Sequence, residues 1–167
     1  MRRFLLYFLP LLLWMGLIFF ASSQPYERQD LQPAMDEHLS LGWMEAMFSY
    51  VSFTYSNTEV SIDNLGVTGF FEFFIRKGAH VFAYFILAIL AYRALYSINL
   101  PKPFLWSFLL VVFYAITDEI HQGFTPNRTP LVEDVVLDSI GGLLGLLLIR
   151  LIYQKYKREN FSADKTK

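Results

Sequence analysis

Tyr114-Ala-Ile-Thr-Asp118-Glu119-Ile-His121-Gln122-Gly123-Phe124-Thr-Pro126-Asn127-Arg128-Thr-Pro130-Leu-Val-Glu133-Asp134-Val-Val-Leu-Asp138-Ser-Ile-Gly141-Gly142-Leu-Leu-Gly145 is the stretch on which the reading of this chain turns. An apolar helix ends in two carboxylates, an imidazole and an amide. A loop with two prolines and one arginine follows. A second apolar helix then opens with two aspartates a turn apart. Carboxylates beside lipid-length apolar runs are expensive to hold there, and by default they mark a function. The expectation is a membrane protein with a polar site near one surface.

Composition agrees. With 167 residues the chain is read as one domain over 1–167. Hydrophobic residues make up 54% and the mean hydropathy is +0.36, too apolar for an ordinary soluble domain. There is no cysteine, which excludes disulfides, thiolate metal ligands and a cysteine nucleophile. The lipid bilayer is the expected partner. No nucleic-acid partner is expected, and no oligomeric state is read from the sequence.

Working outward, the apolar pattern predicts four spans at about residues 4–22, 77–96, 104–122 and 135–153. The first run covers roughly 28 Å at 1.5 Å per residue. A cleaved signal peptide is the alternative, but Ala21-Ser22-Ser23 is a poor cleavage site and further spans follow. Pro10 is expected to kink this helix. Residues 24–67 are polar and acidic, yet Met44, Met47, Phe48 and Val51 fall at helical spacing. They predict a short helix, lying either on the membrane surface or in a small exterior lobe. Phe70 to Phe74 lead into the second helix like an interfacial aromatic belt. Lys77, His80, Tyr84, Ala88 and Ala91 form one stripe along it. In the third helix only 104–117 is uncharged, so Asp118, Glu119 and His121 sit near the surface plane, with Tyr114, Thr117, Asp118 and His121 on one face. In the fourth, Asp134, Asp138, Gly141 or Gly142, and Gly145 share a face, which predicts close packing beneath inward-facing aspartates. The tail from Gln154 to Lys167 is expected to fray.

Orientation follows from the basic residues. Four spans put Arg2, Arg3, Arg93, Lys102, Arg150, Lys155, Lys157, Arg158, Lys165 and Lys167 on one side, ten of the 14 basic residues. The fold class expected is therefore all-α. It is an integral membrane bundle of four transmembrane helices with both termini cytoplasmic. Residues 23–76, between helices 1 and 2, and 123–134 are extracytoplasmic, and 154–167 form a cytoplasmic tail.

In that topology four elements deliver polar groups to one outer surface: Ser22, Ser23 and Gln24; Lys77 and His80; Asp118 to Gln122; and Arg128, Asp134 and Asp138. Convergence of separate helices is stronger evidence for a site than any single motif. The pattern resembles the VanZ-like membrane protein family. The pieces that carry the resemblance are Ser22-Ser23-Gln24-Pro25, Arg76-Lys77-x-x-His80 with Tyr84, Asp118-Glu119-x-His121-Gln122-x-Phe124-x-Pro126-x-Arg128, and Asp134-x-x-x-Asp138-x-x-Gly141-x-x-x-Gly145. Residues 26–67 carry no part of it. The resemblance implies a bacterial plasma-membrane protein with its site on the cell-wall side. It also implies an association with resistance to teicoplanin and related lipoglycopeptides, but no settled reaction.

Several chemistries stay open at this point. Crowded carboxylates beside lipid do not all ionise together, which suits proton transfer, and Asp118, Glu119, His121 and Asp138 are the candidate catalytic residues. The competing account is an ion-pair network, Arg128 with Asp118 or Asp138 and Lys77 with Glu119. Lys77, His80, Gln122, Arg128, Asp134, Ser23 and Gln24 are the candidate ligand-binding residues, with Arg128 and Lys77 suited to an anionic headgroup. No cofactor is predicted. A divalent metal on His80, His121 and the carboxylates is an alternative, with oxygen-rich ligands favouring calcium, magnesium or manganese. Serine nucleophilic chemistry lacks a Gly-x-Ser-x-Gly elbow. The functional expectation is a site acting on an amphiphilic cell-envelope molecule. The alternatives are a non-catalytic protein that binds or shields a lipid-linked or lipoglycopeptide ligand, and a structural partner of a cell-wall complex.

Overall fold

The computed structural model describes residues 1–38, 42–126 and 128–165, with side chains as far as Tyr156. A π-wide turn at Phe4–Phe8 runs into α1 (Leu9–Ser22). A 3-10 turn (Tyr26–Arg28) and two short helices, α2 (Gln32–His38) and α3 (Gly42–Phe48), follow. A hairpin of β1 (Ser52–Tyr55) and β2 (Thr58–Ser61) leads into α4 (Ile62–Ser97). α5 (Pro103–Gln122) and α6 (Val132–Lys165) complete the chain.

Four helical segments are long and apolar enough to cross a membrane: Phe4–Ser22, Ile62–Ser97, Pro103–Gln122 and Val132–Tyr156. Their outer faces fit contact with a bilayer. Leu12, Leu13 and Phe20 on α1, Phe82 on α4, Phe113 on α5 and Leu151 on α6 are all exposed. Pro10 lies in the first turn of α1. There its missing N–H falls next to the π-wide turn at Phe4–Phe8 instead of in mid-helix. The tail expected to fray continues α6 as far as Lys165; Thr166 and Lys167 lie outside the described residues.

The bundle core is built from Tyr84, Leu87, Ala88 and Ala91 of α4, Val111 and Ala115 of α5, and Leu146 of α6. This is the stripe that the spacing on α4 predicts. Small residues let the backbones of α4 and α6 meet. A Cβ on Gly141 would meet the Val81 carbonyl oxygen, and one on Gly145 the Phe85 carbonyl oxygen. Backbone cannot step aside as a side chain can. Gly145→Ala is therefore expected to destabilise the bundle by about 1–3 kcal/mol, the usual cost of overpacking. Gly16 has no atom within 4 Å of such a Cβ, so Gly16→Ala is expected to leave thermal unfolding in detergent unchanged.

The expected all-α class needs one correction, the hairpin. Ser52 pairs with Ser61 and Tyr55 with Thr58, joined through Ser56 (φ 42°) and Asn57 (φ 37°). Two consecutive left-handed residues make the mirror-image turn that matches strand twist. β2 passes straight into α4 because Ser61 caps it, its hydroxyl oxygen accepting from the Asn64 N–H at 3.3 Å. α4 thus begins at Ile62, well before the span expected from residue 77, and Gly66, at φ 71°, redirects it after the first turn.

The expected aromatic belt also changes role. Phe70 is buried, Phe48 stands edge-on to Phe71, and Phe53 edge-on to Phe73. Phe70, Phe48, Phe71 and Phe73 form a second, smaller core with Val60, Ile62 and Val51. The segment before α4 is therefore a lobe packed on its first turns, and the short helix expected from Met44, Met47, Phe48 and Val51 is its α3, which ends at Phe48 and leaves Val51 outside.

Candidate functional site

The inward face of α5 runs through Ser107, Val111, Ala115, Asp118 and Gln122, with Glu119 beside it. Asp118 is 3% exposed, which obliges its oxygens to find partners. Oδ2 accepts from the Ser22 hydroxyl at 2.8 Å and from Gln122 Nε2 at 3.1 Å. Gln122 also donates to Glu119 Oε1 at 3.3 Å. Its own carbonyl oxygen accepts from the Arg128 guanidinium at 3.2 Å. The other guanidinium tip donates to Gln29 Oε1, and Gln29 Nε2 donates to the Ala21 carbonyl at 2.6 Å. The end of α1, the end of α5 and the α5–α6 loop are thus tied into one polar chain.

A second group faces it from α4 and α6. Potential ligand atoms of His80, Glu119 and Asp138 all lie within 4.8 Å of one another. His80 Nδ1 stands 3.4 Å from Asp138 Oδ1, and Glu119 Oε2 accepts from the Leu131 N–H at 2.8 Å. Above these, Lys77 donates to both oxygens of Asp134 at 2.6 and 2.8 Å, and the Tyr55 hydroxyl donates to Asp134 as well. Burial and then the bond to Asp134 push the Tyr55 phenol well above its ordinary range, so it stays a donor at neutral pH. Arg76 pairs with Glu72 at 2.6 Å and lies over the Tyr26 ring.

Between α1 and α4 lies a cleft of about 410 Å³. Its walls are apolar: Trp14, Leu17, Ile18, Ala21, Phe82 and Ala83. One end is polar: Ser22, Gln29, Arg76, His80, Asp118 and Arg128. Leu17 and Phe82 are themselves exposed, so the cleft opens sideways through the apolar belt. Trp14 ties the two helices together, its indole N–H donating to the Ala83 carbonyl at 2.9 Å. Burial, and then Arg76, press the Arg128 guanidinium downward, while Asp118, Glu119 and Asp134 pull it up; guanidinium stays charged. A second cavity, of about 470 Å³, lies under the hairpin turn and shares Arg76 with the first.

The structure brings together Asp118, Glu119, Gln122, Arg128, His80, Asp138, Lys77 and Asp134, but not in the pairs expected. Lys77 meets Asp134 instead of Glu119. Arg128 meets the amides of Gln122 and Gln29 instead of Asp118 or Asp138. His121 turns from the cluster and stacks on Phe19, ring centroids 4.1 Å apart. The inward face of α5 lies one position off the one expected through Tyr114 and Thr117. Ser23 and Gln24 bond back to the Phe20 carbonyl at the end of α1. Of the three groups expected there, Ser22 reaches the site, on the buried face of α1 with Leu11 and Ile18. Gln29 and Tyr55 carried no signal, because they come from the lobe. Ser22→Ala is expected to cost about 1–3 kcal/mol of stability by stripping a buried carboxylate of a donor. Ser23→Ala should cost only tenths, read from the same unfolding curves.

A family model described as VanZ/LLP1 matches residues 5–153, the whole bundle and every residue just named. No curated protein and no solved structure matches the chain.

Proposed function

We infer, from the premise that the chain belongs to the VanZ/LLP1 family, that its lateral cleft takes the head of an amphiphilic cell-envelope molecule bearing an anionic group. The observation that carries this reading is the polarity of the cleft. Apolar walls open toward lipid and end at two guanidiniums, Arg76 and Arg128. An acyl or prenyl chain fits the walls, and a phosphate or carboxylate fits the arginines. Charge bias supports the orientation. Basic residues concentrate at the end of the bundle away from the site, which supports cytoplasmic termini and a site on the outer face of a bacterial plasma membrane. The family resemblance supports a setting in teicoplanin and lipoglycopeptide resistance.

Asp118 is the residue in this reading with an acid/base role. Ser22 and Gln122 hold one oxygen, and Oδ1 carries no hydrogen bond among the described residues. That oxygen is free to exchange a proton with a headgroup held by Arg128. Mass spectrometry of lipids co-purified in detergent tests the reading, with Asp118→Ala and Arg128→Ala beside the wild type. One specific anionic amphiphile, held by the wild type and lost from both variants, is the expected result. Identical lipid profiles in all three proteins would sink it and leave the polar chain as packing alone.

A further inference from the structure

We propose that His80, Glu119 and Asp138 form a divalent metal site, taking an ion of the manganese or zinc type. Three helices supply one ligand each: α4 the imidazole, α5 and α6 the carboxylates. Their ligand atoms already lie within 4.8 Å of one another. Ligands around an ion at about 2.0–2.2 Å stand roughly 3–4.4 Å apart. Closing the trio on an ion therefore takes side-chain shifts of up to about an ångström.

The independent observation is Asp138. It is 0% exposed, and neither of its oxygens has a hydrogen-bond partner among the described residues. A carboxylate so placed lacks the donors that normally stabilise it. His80 Nδ1, at 3.4 Å from Oδ1, is within ion-pair range of it, a long contact that leaves Oδ2 with no partner among the described residues. Glu119 keeps lone pairs to spare beyond its bonds from Leu131 and Gln122. A dication between them offsets two carboxylate charges inside an apolar bundle, where they are otherwise costly. One imidazole with two carboxylates suits manganese or zinc, while calcium needs more oxygen ligands than this trio holds. His80 also lines the cleft, so the ion would stand at its polar end. There it would polarise a headgroup oxygen or activate a water. His121, stacked on Phe19, takes no part.

The site stands beside the amphiphile reading and does not depend on it. Its test uses the full chain in detergent, stripped with chelator, reloaded separately with Mn²⁺ and Zn²⁺, desalted, and analysed for metal by mass spectrometry. The wild type is expected to keep one ion per chain. His80→Gln, Glu119→Gln and Asp138→Asn are expected to lose most of it. Glu133→Gln, an exposed neighbour outside the trio, should keep it. Should the variants fold poorly, pulsed electron paramagnetic resonance of the Mn²⁺-loaded wild type decides. Coupling to one histidine nitrogen, shifted by ¹⁵N-histidine labelling, is expected. No retained ion from either metal, equal retention in the trio variants, or no nitrogen coupling would overturn the proposal. Lipid content is read on the same samples. Amphiphile retained without metal sinks only this site, and metal retained without amphiphile sinks only the cleft reading.

Discussion

Arg128→Ala is expected to weaken capture of an anionic lipid by about ten- to a hundredfold, since hydrogen bonds to a charged group contribute roughly 1.5–3 kcal/mol. The measurement is competition between phosphatidylglycerol and phosphatidylcholine for the detergent-purified protein, read by native mass spectrometry. The reason lies in how the guanidinium is held. Gln122 and Gln29 fix its two tips, and Nε is left without a partner among the described residues. A planar fork braced at two corners presents its remaining donors in one fixed plane. Arg128→Lys keeps the charge but cannot bridge two amides, so it should behave closer to alanine than to arginine. Full binding by the lysine variant would mean that only charge matters there. Undiminished binding by the alanine variant would remove Arg128 from the site altogether.

The second large effect is on stability. Lys77→Met is expected to cost about 3–5 kcal/mol, because it strands the Asp134 carboxylate. The pair is well buried, with side chains 15% and 9% exposed, so solvent screening does not discount it much. Tyr55 would remain as a donor to Asp134 but brings no charge. Adding Asp134→Asn to Lys77→Met should recover most of the loss, since the amide oxygen still accepts from Tyr55 and no bare charge is left. Chemical or thermal unfolding of the four proteins in one detergent gives the coupling directly. Additive losses in the double variant would show the pair to be unimportant. Glu119 offers the internal contrast: its nearest bonds come from Leu131 and Gln122, so Lys77→Met with Glu119→Gln should show no such rescue.

Much of this arrangement was open to reading from residues alone, and the misses share a cause. Long apolar runs declare themselves, and the four spans appear close to where hydropathy puts them. The glycines under Asp138 also appear where close packing demands them. Rotation of a helix is harder, because neighbouring positions differ by only about 100°. That single step separates Ser22 from Ser23, and about 60° around α5 separates Asp118 in the polar chain from His121 against Phe19. Pairing is harder still. Lys77 had several carboxylates within reach, and the choice of Asp134 depends on how α4 and α6 dock at Gly141 and Gly145. The hairpin escaped because Ser56-Asn57 lacks the Asn-Gly signature of a tight turn, and because its strands carry weak alternation. Its stability comes from packing on Phe70 and Phe73, a tertiary matter.

The lobe before α4 sends Gln29 to Arg128 and Tyr55 to Asp134. A chimera that transplants this lobe between relatives would transplant two of the site's own side chains with it. On the proposed amphiphile reading, exchange of the lobe is expected to change which headgroup is held, without altering a single residue of the four long helices.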